Sequence, residues 1–214
     1  MQNKMIYTIG HSNHPVELFI NMLKDRGINL IIDIRSMPYS RYAGDYNKTP
    51  LKAILELDDI DYIFMGDLLG GRYTDPSLLF YDGKVDFGKV SQTDSFKKGI
   101  NRIIDFVQKR HTVALMCSEK NPLECHRFAM IAPTLMEKGY EVLHILPEML
   151  IGHKTLEDKL FEYYRTIGNI SLDIEKISGI DEVQSNFLNL ETKADMYLAL
   201  NKLIGYDTLA KERK

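Results

Sequence analysis

Apolar and polar positions alternate between two patterns over the first two-thirds of the chain. Short, nearly continuous apolar runs occur at Met5-Ile6-Tyr7-Thr8-Ile9, Leu30-Ile31-Ile32-Asp33-Ile34, Asp61-Tyr62-Ile63-Phe64-Met65, residues 112–117 and Glu141-Val142-Leu143-His144-Ile145-Leu146. Such runs predict strands buried on both faces, as in a sheet covered by helices on each side. Between them, apolar residues recur at three- and four-residue intervals, as in Val16, Phe19, Ile20 and Leu23. That spacing predicts a helix capped by Asn13 with Pro15 at its start, and further helices over residues 50–57, 96–110 and 123–139, the last stopped by Gly139. Five such alternations predict an α/β fold: a three-layer domain over residues 1–150, with a mostly parallel five-stranded sheet and helices on both faces. The order of the strands does not follow from the pattern. Residues 72–92 read as a long loop with a turn at Asp82-Gly83. Beyond Pro147 helical spacing returns over residues 155–167 and 187–209, with 170–180 ambiguous. Residues 151–214 are therefore expected to form a helical C-terminal extension, and nothing in it points to chemistry.

Composition narrows the picture. With 214 residues, 44% of them apolar, the chain can bury a substantial core, and its net charge of -3 does not favour a broad nucleic-acid surface. No apolar run is long enough to span a membrane, and the first residues carry no signal-peptide pattern. Two cysteines in so long a chain do not make a disulfide scaffold, so a reduced, cytoplasmic protein is expected, with no membrane partner.

The chemistry gathers where the strands end. Parallel strands release their exit loops at one edge of the sheet, where α/β folds place binding crevices. These loops carry His11 and Ser12; Asp33, Arg35, Ser36 and Arg41; Gly70, Gly71 and Arg72; and Cys117, Glu119, Cys125, His126 and Arg127. The entrance edge offers only Asn3, Asn29, Asp61, His111 and Glu141. Cys117 closes an apolar strand, where packing and function are about equally expected of a cysteine. Cys125 is expected in the first turn of a helix beside His126 and Arg127, which would make it the more acidic thiol. Asp33 reads as a group that fixes its own loop or equally pairs with Arg35 or Arg127, and His144 as a core histidine.

Four motifs in order, Thr8-Ile9-Gly10-His11-Ser12, Asp33-Ile34-Arg35-Ser36-x-Pro38-x-Ser40-Arg41, Leu69-Gly70-Gly71 and Cys117-x-Glu119-x-x-Pro122-x-x-Cys125-His126-Arg127, resemble the domain of unknown function 488 family over residues 5–146. The resemblance implies an α/β domain with these motifs around one pocket, and no settled reaction.

Three functions compete. In the first, an enzyme acts on a small anionic substrate containing phosphate or sulfur. Cys117 or Cys125 supplies a thiolate, His11 or His126 moves protons near Glu119, and Ser12, Asp33, Ser36, Gly70, Gly71 and the arginines 35, 41, 72 and 127 bind substrate. Rhodaneses and cysteine phosphatases have a similar strand–Cys–loop–helix layout, but Cys117-x9-Arg127 is longer than their loop. In the second, a nucleotide or nucleic acid with a repair-linked role is held by the arginines and stacked on Tyr39, Tyr42 and Tyr73. In the third, Cys117, Cys125, His126 and His11 hold a metal. The spacing is unlike a zinc finger, and neighbouring Cys125 and His126 on one helix would diverge, so no residue is assigned as a ligand. Cofactor and oligomeric state stay unknown at this stage.

Overall fold

The structure, a computed structural model, describes residues 4–178 and 191–209. The five apolar runs form β1 (Met5–Gly10), β2 (Leu30–Asp33), β3 (Asp61–Phe64), β4 (Val113–Cys117) and β5 (Glu141–Ile145), all parallel where they pair. A sixth strand, β6 (Leu150–Gly152), pairs antiparallel with β5, and the sheet order is β3-β2-β4-β1-β5-β6. The sheet thus has six strands rather than five. After Pro147 the chain reverses through paired bonds between Leu146 and Met149, and a three-residue strand is too short to leave a periodicity.

The helices are α1 (Val16–Lys24), α2 (Lys48–Glu56), α3 (Gly66–Leu69), α4 (Phe87–Ser91), α5 (Asp94–Gln108), α6 (Ala132–Glu137), α7 (His153–Ile167), α8 (Ile174–Ser178) and α9 (Lys193–Ile204). Side chains alternate between the two faces of each strand. Ile31, Ala114 and Met116 pack with Phe19 and Leu23 of α1 and Leu51 and Leu55 of α2. Leu30, Ile32, Val113, Leu115 and Cys117 face the other way, against Leu69, Val90, Phe96, Ile100 and Leu135. Cys117 therefore points into the helical layer that also holds Cys125.

Three local expectations change. Asn13 does not cap α1; Pro15 takes the cap position without a side-chain bond. Residues 72–92 contain α4 and a single turn at Pro76–Leu78, closed by bridges from Leu79 to Val85 and from Lys84 to Asp207. The helix expected over 123–139 is broken into a short turn at Pro122–Glu124, a wide π turn at Arg127–Ile131, and α6. Pro133 lacks the N–H that a regular α turn would direct to Ala129, and the wide turn lies just before it.

The C-terminal helices surround a third apolar cluster of Leu123, Phe128, Leu156, Leu160, Met196 and Leu200. A buried polar chain also joins them to the sheet. Thr8 Oγ1 lies 2.7 Å from His144 Nδ1, His144 Nε2 3.1 Å from His153 Nδ1, His153 Nε2 2.9 Å from the Tyr197 hydroxyl, and that hydroxyl donates to Glu157 at 2.9 Å. His144 is thus the satisfied core histidine expected. The part of the expected last helix at residues 187–190 lies outside the described residues. No helix among the described residues is long and apolar enough to cross a membrane.

Candidate functional site

The exit edge is assembled by close backbone contacts. The His11 N–H donates to the Cys117 carbonyl at 3.0 Å and the Ser12 N–H to the Ser118 carbonyl at 2.8 Å, carrying the β1–β4 pairing past the strand ends. Ser12 takes a positive φ of 47 to do so. Gly10 makes room for the loop above it, since a Cβ there would stand 1.8 Å from the Glu119 carbonyl oxygen. That carbonyl accepts Arg127 Nη1 at 2.7 Å, and the Lys120 carbonyl accepts Nη2 at 3.0 Å. Buried Arg127 is therefore a brace for the 118–120 loop.

Arg35 is also used internally. Its Nε and Nη2 donate to Asp33 at 2.9 and 2.6 Å, Nη2 to the Tyr46 carbonyl at 2.7 Å, and Nη1 to His11 Nε2 at 3.0 Å. Tyr62 adds a hydroxyl to Asp33 at 2.6 Å. Because Nη1 must donate, His11 Nε2 accepts, and His11 Nδ1–H donates to the Ser12 carbonyl at 2.8 Å. Burial and then the Arg35 charge lower the His11 pKa to about 4, so the ring is neutral at neutral pH, stacked on Tyr46 with centroids 4.3 Å apart.

Cys117, Cys125 and His126 meet beside this frame. Their Sγ and ring-nitrogen atoms lie within 4.8 Å of one another, and all three residues are buried. His126 Nδ1 is 3.6 Å from Cys125 Sγ and 3.9 Å from Cys117 Sγ, while its Nε2 lies 3.3 Å from the Ile34 carbonyl. Cys117 Sγ donates to Glu119 Oε2 at 2.8 Å. Cys125 is not in the first turn of a helix. It is extended, at φ -130 and ψ 142, and closes the Pro122–Glu124 turn; its sulfur accepts the Arg127 N–H at 3.4 Å. This bend turns the Cys125 and His126 side chains toward each other instead of apart.

Charge distributes unevenly in the cluster. Burial works against a thiolate at Cys125, but the Cys117 S–H, Arg127 and His126 outweigh it and hold its pKa well below that of an ordinary thiol. Burial, then the Cys125 sulfur, push Cys117 well above it. Burial, followed by the same sulfur, raises Glu119. At His126 burial opposes the charged form, yet Cys125 and Glu119 prevail and raise its pKa. The favoured state has one proton fewer on Cys125 than on Cys117.

The cluster forms the floor of a pocket of about 170 Å³. Arg35, Ser36, Gly71, Arg72 and Glu119 also line it. A Cβ on Gly71 would come within 2.9 Å of His126 Cγ, so glycine there lets the loop lie flat against the imidazole. Arg72 is exposed, its guanidinium 5.2 Å from the Tyr206 ring centre, and it makes no ion pair among the described residues. The family described as Domain of unknown function DUF488 matches residues 15–132, more than half of the chain. The chain belongs to this family. No curated protein and no solved structure matches it.

Of the residues singled out in the sequence, Arg35, Ser36, Gly71, Arg72, Cys117, Glu119, Cys125 and His126 line the pocket. His11, Ser12, Asp33, Gly70 and Arg127 stand behind its walls, as supports. Arg41 is exposed on the loop after β2 and is not part of the lining. Met37, Phe87, Ser118, Glu124, Ile204 and Tyr206 complete the walls and were not foreseen. Ile204 and Tyr206 come from the end of α9 and the turn after it, in the stretch where nothing in the sequence points to a site. Only the fold brings them to the DUF488 pocket; their sequence surroundings carry no signal.

Proposed function

We propose that this pocket is an enzyme active site for a small anionic molecule, worked on at the surface formed by Cys117, Cys125 and His126. One observation carries the reading: two thiols and an adjacent imidazole form the floor of an open pocket. Such groups supply nucleophilic and proton-transfer chemistry. Its volume of about 170 Å³ lies below the roughly 300–1,000 Å³ of sites for larger ligands, so the substrate is a molecule of few atoms rather than a nucleotide. The exposed Tyr39 and Tyr42 lie outside the lining, which further favours a small molecule over a nucleic acid. Arg72 supplies the free guanidinium for the anion, since Arg35 and Arg127 are engaged elsewhere. Glu119 opposes an anion less than an ordinary carboxylate, because burial raises its pKa. Free thiols in this arrangement go with a reducing, cytoplasmic setting.

Alkylation of the metal-free protein tests this. Iodoacetate and iodoacetamide differ chiefly in charge. Cys125 is expected to react faster with iodoacetate, to be protected by millimolar phosphate or sulfate, and to lose that preference in Arg72→Gln. A preference for the neutral reagent, unchanged by Arg72→Gln and by anions, would sink the anionic-substrate reading.

A further inference from the structure

We propose that Cys117 Sγ, Cys125 Sγ and His126 Nδ1 hold one zinc-class divalent ion, leaving a fourth coordination position open to the pocket. The inference rests on the reading of the pocket as the working site and names what its floor carries.

Geometry comes first. With Zn–S near 2.3 Å and Zn–N near 2.0–2.1 Å, tetrahedral coordination puts sulfur and nitrogen ligands roughly 3.6 Å apart and two sulfurs roughly 3.8 Å apart. The observed S···N separations are 3.6 and 3.9 Å, and all three atoms fall within 4.8 Å of one another. A small inward adjustment of buried side chains closes the set around an ion.

The outer bonds agree. His126 Nε2 faces the Ile34 carbonyl, so the ring proton belongs on Nε2 and the Nδ1 lone pair faces the sulfurs. A backbone carbonyl on the distal nitrogen is the usual way a metal-binding histidine is oriented. The Cys125 sulfur is fixed by the Arg127 N–H, and Gly71 lies close against the imidazole. Two thiolates, a neutral imidazole and a divalent ion sum to zero charge, which suits a buried site. Binding takes lone pairs from both sulfurs and Nδ1, and the proton that Cys117 directs at Glu119, with any proton on His126 Nδ1, leaves to solvent.

Three protein ligands with a fourth position free is the pattern of catalytic rather than structural zinc. All three ligands line the pocket, so the free position faces it. There the ion could bind a water or polarise an anionic substrate.

The test uses the full, untagged chain. Metal content after purification is measured by mass spectrometry, and cobalt(II) is titrated into the stripped protein. One equivalent is expected to bind, with thiolate-to-cobalt charge-transfer absorption and the intense visible bands of four-coordinate cobalt. Cys117→Ser, Cys125→Ser and His126→Gln should each weaken binding by more than about 100-fold, exceeding the 10–100-fold effect of losing an outer hydrogen bond. Inorganic phosphate should shift the visible bands if the fourth position is open. Failure of the wild-type chain to bind cobalt at millimolar concentration, or binding without sulfur absorption, overturns the metal site, and needs no variant that might misfold. Cobalt bands that ignore phosphate overturn the open position. Phosphate-protected alkylation in a chain that binds no metal would remove the ion and leave the active-site reading standing. One tightly bound ion with no anion effect on either alkylation or spectrum would remove the active-site reading and the open position together.

Discussion

Arg127 is 1% exposed, and its terminal nitrogens rest on two peptide carbonyls rather than on a carboxylate. Its charge is one of the influences that lower the pKa of Cys125. Lysine keeps the charge but cannot reach both carbonyls with a planar fork. Arg127→Lys is therefore expected to cost about 2–3 kcal/mol in stability, roughly one charge-assisted hydrogen bond, measured by denaturant unfolding. The pH profile of Cys125 alkylation should move less than in Arg127→Met, which loses the charge as well. Equal shifts in the two variants would show that packing, not charge, governs the thiol. At this scale the sequence revealed which residues gather at the exit edge better than how they are bonded there. Arg35 reads as an anion clamp because a guanidinium in an exit loop suits phosphate or carboxylate. Asp33 lies two residues before it, but His11 and the Tyr46 carbonyl come from two other segments, and only the fold brings them to it. For Cys125 and His126, adjacency on an assumed regular helix implied divergence, and the π turn reverses that.

Among the elements, the core strands and α1, α2, α5 and α7 were legible because each carries its own period. The boundaries moved by a few residues where a cap decided them, as where Thr93 accepts the Phe96 N–H and starts α5 at Asp94. What the pattern could not reveal was β6, and the service α9 performs for the pocket. α9 is tied to the 85–87 segment by Asn201, which is 4% exposed, accepts the Phe87 N–H at 2.8 Å and donates to the Val85 carbonyl at 2.9 Å. Just beyond α9, Tyr206 accompanies Arg72 at the pocket wall. Asn201→Leu leaves two buried backbone groups unpaired, so a loss on the order of 2–4 kcal/mol is expected by thermal or denaturant unfolding. Amide exchange should rise at Val85 and Phe87 before it rises in β4. Uniform exchange across the chain would mean that α9 unfolds only with the whole protein.

For the molecule as a whole, buried neutral histidines set the response to acid. His11 has its pKa lowered to about 4 by burial and then Arg35, and His153 to about 3 by burial and then Lys193. His144 is lowered well below the ordinary value, first by burial. Above about pH 6.5 these groups are neutral folded or unfolded and do not link stability to pH. Below it the unfolded chain takes up protons that the native sites refuse, so stability falls with pH until the native pKa values are reached. His11 alone should contribute a loss on the order of 3 kcal/mol by about pH 4. Denaturant midpoints across this range check the sign, and His11→Asn should flatten the slope. A wild-type midpoint unchanged from pH 7 to 4 would contradict the buried, neutral assignment.

The pocket floor and one of its walls have different origins along the chain. Cys117, Cys125 and His126 lie within the span that matches the family, residues 15–132, whereas Ile204 and Tyr206 lie beyond it. The buried sulfur and imidazole groups and the wall above them thus come from separate stretches of sequence. Substitutions at the far end can reshape the rim while the sulfur and imidazole groups stay fixed. Exchanging the tail would therefore alter the rim of the pocket and leave the floor of Cys117, Cys125 and His126 in place.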